Sequence, residues 1–179
     1  CIIFIDEMDA IRQQVNNTLF DMSQRVAIGT LTEGSVISLY ENGIRVPFII
    51  IGGWYGTGRV TVLRRDIYKM DTLYNEGEEW YSNSKADKWL ENEYVTYLDP
   101  ATQGVLTSVN IQSSIRGSLT TISRKAFFLS AREHGISNPY TISEGDMQGY
   151  FAVGTPDERR VALFNGVAAP HWTRSMMYS

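Results

Sequence analysis

Reactive side chains are sparse in this sequence of 179 residues. His134 and His171 are its only histidines, and no local ligand spacing surrounds either, so no metal site is expected. The single cysteine, Cys1, excludes an internal disulfide framework and any Cys-rich metal centre. No Gly-x-Ser-x-Gly nucleophile elbow occurs. The acidic pair with the most chemical promise is Asp6 and Glu7, which follow the apolar run Cys1 to Ile5. A strand that delivers an Asp to magnesium and a Glu to an attacking water has this form. That chemistry also needs an upstream glycine-rich phosphate loop ending in Gly-Lys-Ser/Thr. The glycine cluster at 52–58 ends in Gly58-Arg59-Val60, lacks the lysine and lies downstream of the acidic pair. Glu78-Glu79 and Asp157-Glu158 fall in polar loops, where solvated charge is the expectation. The sequence therefore reads as a protein without catalytic residues or a cofactor.

Binding chemistry is better represented. Trp80, Tyr81, Tyr140, Tyr150, Trp172 and Tyr178 lie in or beside stretches rich in Gly, Ser and Asn. Loop Tyr and Trp offer large contact area at low entropy cost, which is what recognition surfaces use. Trp89 differs, because it falls on the apolar face of a predicted helix and belongs to the core.

A core is affordable at 43% apolar and 12% aromatic residues, and the length suits one domain with a short appendage. Lys plus Arg is 16 and Asp plus Glu is 20, for a net charge of −4, with no basic block. Double-stranded nucleic acid is not an expected partner, since its affinity comes mostly from neutralised phosphates. The longest apolar stretch, Val46 to Tyr55, is about half of the roughly 20 residues that span a bilayer, so membrane insertion is not expected. The chain opens on Cys rather than Met. Removed or unseen residues explain this better than a lipidated first residue, given the apolar neighbours Ile2 to Ile5.

The elements that must position these side chains divide the chain at residue 28. From Asp6 to Val26 there is no Gly or Pro, and Met8, Ile11, Val15, Leu19, Met22 and Val26 recur at helical spacing. Residues 1–28 are thus expected to form an amphipathic helix that docks on the domain or builds an oligomeric stalk. Residues 29–179 carry strand and short-helix signals. Val36 to Tyr40 and Ile44 to Ile51 flank Asn42-Gly43, a hairpin turn. Pro47 implies an edge or a bulge. Arg59 to Arg64 is a third strand in sequence. Ser84 is placed to cap a helix from Lys85 to Tyr94, and Asp99-Pro100 to open another. Thr107 to Gln112, Ala126 to Leu129 and Arg160 to Phe164 read as short strands, and Ser130 as the cap of a turn through Glu133. Strands and helices are segregated, so the fold class is α+β, with two or three short helices.

Several segments in order resemble a domain family of bacteriophage and prophage proteins with a C-type-lectin-like fold. They are Gly34-Ser35-Val36 with Val46 to Ile50; Arg65-Asp66-Ile67-Tyr68; Trp80 to Ser84 with Lys88 to Tyr94; Ala126 to Ser130 with Glu133; Arg160-Val161-Ala162; and Trp172-Thr173-Arg174-Ser175. The first 11 residues are separately similar to the Walker B segment of AAA ATPases. Without a phosphate loop that similarity is read as spurious, and an ATPase fragment is kept only as a minor alternative beside a bacterial surface adhesin.

The lectin-like resemblance implies a non-catalytic virion structural protein of fibre, tail or head-decoration type. Its expected partners are a host cell-surface glycan or protein, neighbouring virion proteins, and its own copies, with a trimer favoured. The family's Trp-x-Arg-Ser element is usually followed by further strands, so the domain is expected to lack its last strands. The resemblance also implies that Trp172 and Arg174 are scaffold, Arg174 fixing loop carbonyls or the carboxylate of Asp146 or Glu144. Tyr140, Tyr150, His171 and Tyr178 are the expected ligand contacts. Asn138-Pro139-Tyr140 supplies no carboxylate to a lectin-type calcium site, and no calcium is expected.

Overall fold

The computed structural model describes residues 2–5, 31–54, 59–70, 80–152, 154 and 156–175. The expected helix over 6–26, the pair Asp6 and Glu7, and Tyr178 lie outside the described residues.

A five-stranded antiparallel sheet carries the fold, in the order β2-β3-β4-β1-β7. β2 (Val36–Glu41) and β3 (Ile44–Trp54) form the expected hairpin. Asn42 and Gly43 take φ of 51° and 76°, the left-handed pair that a tight hairpin turn with right-handed strand twist requires. β4 (Arg59–Arg64) pairs with β3 from Phe48↔Arg64 onward. The Pro47 carbonyl still accepts from Arg65 N at 3.1 Å, just past the end of β4, where a missing proline N–H interrupts no ladder.

β1 (Ile2–Ile5) corrects the expected boundary at residue 28. It sits between β4 and β7 (Ala126–Phe127), in register Ile2↔Leu63 and Ile2↔Phe127. Alternate residues of a strand point to opposite faces. Ile2 and Ile3 are both fully buried, and each joins the core on its own face of the sheet. An apolar run that looked like the lead-in to a helix is thus a central strand of the domain.

One face packs against the helical segment. α1 (Lys85–Trp89) is capped by Ser84, whose Oγ accepts from Asp87 N at 3.0 Å. It continues through a π-helical turn, Leu90–Tyr94, into a last turn, Val95–Tyr97. α2 (Pro100–Val105) opens as expected with Asp99, whose Oδ1 accepts from Ala101 N and Thr102 N. Leu90, Tyr94, Leu98 and Val105 meet Ile3, Phe48, Ile50 and Val62 across this face. The Tyr94 hydroxyl donates to Glu41 at 2.6 Å, and Arg64 clasps the same buried carboxylate with two 3.0 Å bonds. Burial and the Glu41 carboxylate hold the Tyr94 phenol well above its ordinary pKa.

The opposite face is covered by Tyr81, Ala86, Ile111, Leu129 and Phe151. Here lies the second hairpin, β5 (Val109–Ile115) and β6 (Ser118–Arg124), which turns at Arg116-Gly117 with φ of 49° and 79°. Only its first strand was expected from the sequence. Asp87 ties α1 to β6 through two 2.7 Å bonds from Arg124. After Phe127 the chain is mostly irregular. The expected strand Arg160 to Phe164 is instead a 3₁₀ turn, Asp157–Arg160, followed by the short pair β8 (Leu163–Phe164) and β9 (Val167–Ala168). Mixed strands and short helices of this kind make an α+β architecture.

Candidate functional site

Arg174 is the largest fully buried side chain among the described residues. A guanidinium inside a protein must have its charge and its donors met. Glu133 faces it with both carboxylate oxygens, one at 2.6 Å from Nη1 and the other bound by Nη2. Nε donates to Gln112 O and Nη1 to Phe128 O, each at 2.8 Å, and the backbone N donates to Leu129 O at 2.9 Å. Ser130 and Glu133 form a capping box of the kind expected: Glu133 N donates to Ser130 Oγ at 3.0 Å, and Ser130 N to Glu133 Oε2 at 3.1 Å. Gly145, at φ of 70°, lets the chain pass over this pair, for a Cβ there would stand 2.4 Å from Glu133 Oε1.

The adjacent buried carboxylate, Glu144, accepts from Ser114 N and from Ser175 Oγ at 2.7 Å. Burial raises its pKa, and these two hydrogen bonds oppose the rise. Arg174 is therefore a buried anchor, and its carboxylate partner is Glu133 rather than Glu144 or Asp146.

Two residues before this anchor the chain lies over a cleft of about 600 Å³. Ile49, Leu63, Trp89, Leu90, Phe128 and Leu129 supply its apolar lining, and Tyr150, His171 and Trp172 also line it. The segment after β4 forms another wall, positioned by a 2.7 Å bond from Ile67 N to Leu163 O. Trp172 is 55% exposed, which corrects its expected role as buried scaffold. Trp89 packs against the core as expected, and its half-buried ring also lines the cleft. It stands in an aromatic group with Tyr68 at 5.3 Å and Tyr94 at 5.5 Å between ring centroids.

The two histidines meet in the wall of the cleft. His134 Nδ1 and His171 Nε2 are 3.3 Å apart, and the buried His134 ring stands edge-on to Phe151 at 4.4 Å. Burial, then the neighbouring His171 and Arg160, lower the His134 pKa to about 4. Burial lowers that of His171. Two imidazole nitrogens at this spacing would suit one metal ion, but no third His, Cys, Asp or Glu joins them among the described residues. Arg160 is held beside them by His134 O at 3.2 Å and Phe151 O at 2.9 Å, and its charge opposes a dication. The pair thus stands as a ring-to-ring hydrogen bond that joins the segment before Trp172 to the turn carrying His134.

Cations surround this apolar space and lie on its aromatics. Arg159 is over Tyr150 at 4.8 Å and donates to Tyr150 O at 3.1 Å. Lys69 is over Trp89 at 5.1 Å, and Arg64 over Tyr68 at 5.4 Å. Arg64, Arg65 and Arg160 have carboxylate partners in Glu41, Asp66 and Asp157.

The model of a family described as a domain of unknown function, DUF6273, matches residues 57–179, more than half of the chain. The chain belongs to the DUF6273 family. No curated protein and no solved structure matches it. The DUF6273 match takes in β4, the helical segment, the Arg174 anchor and every cleft residue named above except Ile49. β1, β2 and β3, although built into the same sheet, precede it. Of the expected contact residues in this DUF6273 protein, Tyr150 and His171 are brought to the cleft, with Trp172 beside them. Tyr140 is 65% exposed and does not line it. Lys69 and Arg159 were missed as site residues. Their only signal in the sequence is proximity to the segments Arg65 to Tyr68 and Arg160 to Ala162, quoted for the lectin-like resemblance.

Proposed function

We propose that this DUF6273 protein is a non-catalytic recognition module of a bacteriophage virion, built on a C-type-lectin-like scaffold and binding its host-surface ligand in the cleft. The observation that carries the reading is Trp172, a large exposed aromatic at an apolar cleft, two residues from a buried bidentate ion pair. A contact residue on so firmly held a backbone loses little entropy on binding. The antiparallel sheet, the short helices of residues 85–105 and the long irregular run after Phe127 are compatible with a lectin-like body. The ordered resemblance of segments from Gly34 to Ser175 supports the phage setting. Copies of the chain and neighbouring virion proteins are its proposed structural partners, with no calcium in recognition.

Binding of the full chain to host cell envelopes is the test, with Trp172→Ala and Tyr140→Ala compared. Trp172→Ala should abolish binding while the protein remains folded at the assay temperature, and Tyr140→Ala should bind normally. Normal binding by Trp172→Ala, or absence of the protein from purified particles, would refute the reading.

A further inference from the structure

The chemistry of the cleft narrows what it can hold. Ile49 and Leu63, the half-buried aliphatic side chains of its lining, have no donors or acceptors for a sugar, and Leu90 and Leu129 behind them are core residues. Burying hydroxyls against such a surface leaves hydrogen bonds unmade, whereas burying hydrocarbon is favourable. Five basic side chains line the cleft against the two carboxylates of Asp66 and Glu158, in a chain whose net charge is −4. Lys69 and Arg159 stack on Trp89 and Tyr150 and have no carboxylate partner among the described residues.

We infer that the cleft binds a small anionic amphiphile, with a hydrocarbon or aromatic body against the aliphatic lining and a carboxylate met by Lys69 and Arg159. This rests on the cleft being the recognition site and names the chemistry of its ligand. A cleft of about 600 Å³ lies within the range that encloses a drug-sized molecule.

Isothermal titration of the full chain at pH 7 with laurate, dodecanol, dodecyltrimethylammonium and glucuronate tests it, each lipid held below its micelle concentration or solubility limit and the three lipids sharing one chain length. Laurate should bind at least about fivefold more tightly than dodecanol, as expected for a partly solvated ion pair. The cationic amphiphile should bind more weakly than dodecanol, and glucuronate should not bind. Lys69→Gln and Arg159→Gln should each weaken laurate about fivefold and leave dodecanol unchanged, while Arg132→Gln, outside the cleft, changes neither. If one variant fails to fold, the other still decides the matter. Equal affinity for laurate and the ammonium compound, unaltered laurate binding in both variants, glucuronate binding above laurate, or no binding at all would overturn the inference. Envelope binding that depends on Trp172 without laurate binding would remove this inference alone. Laurate binding without envelope binding would remove the virion reading and leave the ligand chemistry standing.

Discussion

Glu133→Gln isolates the anchor from everything it supports. Glutamine keeps the volume of the side chain and one acceptor for Ser130 N, but its amide nitrogen now faces the donors of Arg174. It also leaves the guanidinium charge without a counter-ion. Arg174 is 0% exposed and Glu133 is 7% exposed, so water cannot take up the difference. Removing one partner of a buried ion pair destabilises by about 3–5 kcal/mol, because the remaining charge stays desolvated. For a chain of 179 residues each kcal/mol moves the melting temperature by about 2–4 °C, which puts the expected loss at roughly 6–20 °C. Thermal unfolding followed by circular dichroism at pH 7 is the assay. Asp157→Asn, which breaks the Arg160 pair at a fully exposed carboxylate, should leave the melting temperature in place. The double substitution Glu133→Leu with Arg174→Met should be less harmful than Glu133→Gln alone, since neither charge is then stranded. A Glu133→Gln protein melting within about 2 °C of the parent would refute the assignment of Arg174 as a buried, charge-matched anchor.

Three further perturbations test other parts of the molecule. Ile3→Ala should destabilise by about 2–5 kcal/mol in urea unfolding, because Ile3 is fully buried in the central strand; a cost below about 1 kcal/mol would contradict β1. Trp172→Ala, by contrast, should lower the melting temperature by less than Glu133→Gln does, because Trp172 is 55% exposed and strands no buried charge. His134 has a folded pKa of about 4 against an ordinary value of 6.5, so the unfolded chain binds the proton more readily. Its contribution to stability is whole above pH 6.5 and is lost as the pH falls towards 4, at most about 3 kcal/mol in all. Glu144, whose pKa is raised, has the opposite sign and favours the fold as pH falls. The urea midpoint of His134→Gln should therefore decline less between pH 7 and pH 4.5 than that of the parent, and equal declines would count against the buried neutral histidine.

Local chemistry made some elements legible. Asn42-Gly43 defines its turn through backbone conformation, and Ser84 and Asp99 cap helices by bonds within three residues of themselves. Elements fixed by distant partners were harder to read. Ile2 to Ile5 is a strand because β4 and β7 flank it, and β7 lies more than 120 residues away. The second hairpin went half-seen because Arg116-Gly117 lacks the Asn or Asp that usually marks a left-handed pair. At the site, loop aromatics identified Tyr150, but exposure decided the roles of Trp172 and Trp89, and exposure depends on what the fold lays against each ring. The separation of 37 positions between His134 and His171 hid a 3.3 Å contact for the same reason.

Trp172-Thr173-Arg174-Ser175 looks like a single unit in the sequence, yet its parts have different tasks. Arg174 N is bonded to Leu129 O, and Ser175 Oγ accepts from Ala131 N at 3.0 Å while donating to Glu144. The backbone at 174–175 is therefore fixed by side chains and carbonyls drawn from residues 112–144. Upstream, His171 meets the body through the contact between the histidine rings. A substitution at Arg174 therefore strikes β5, the capped turn and the chain beside the cleft together. Arg174, its partner Glu133 and the glycine at 145 that lets the chain pass over them must therefore be kept together for this part of the fold to hold.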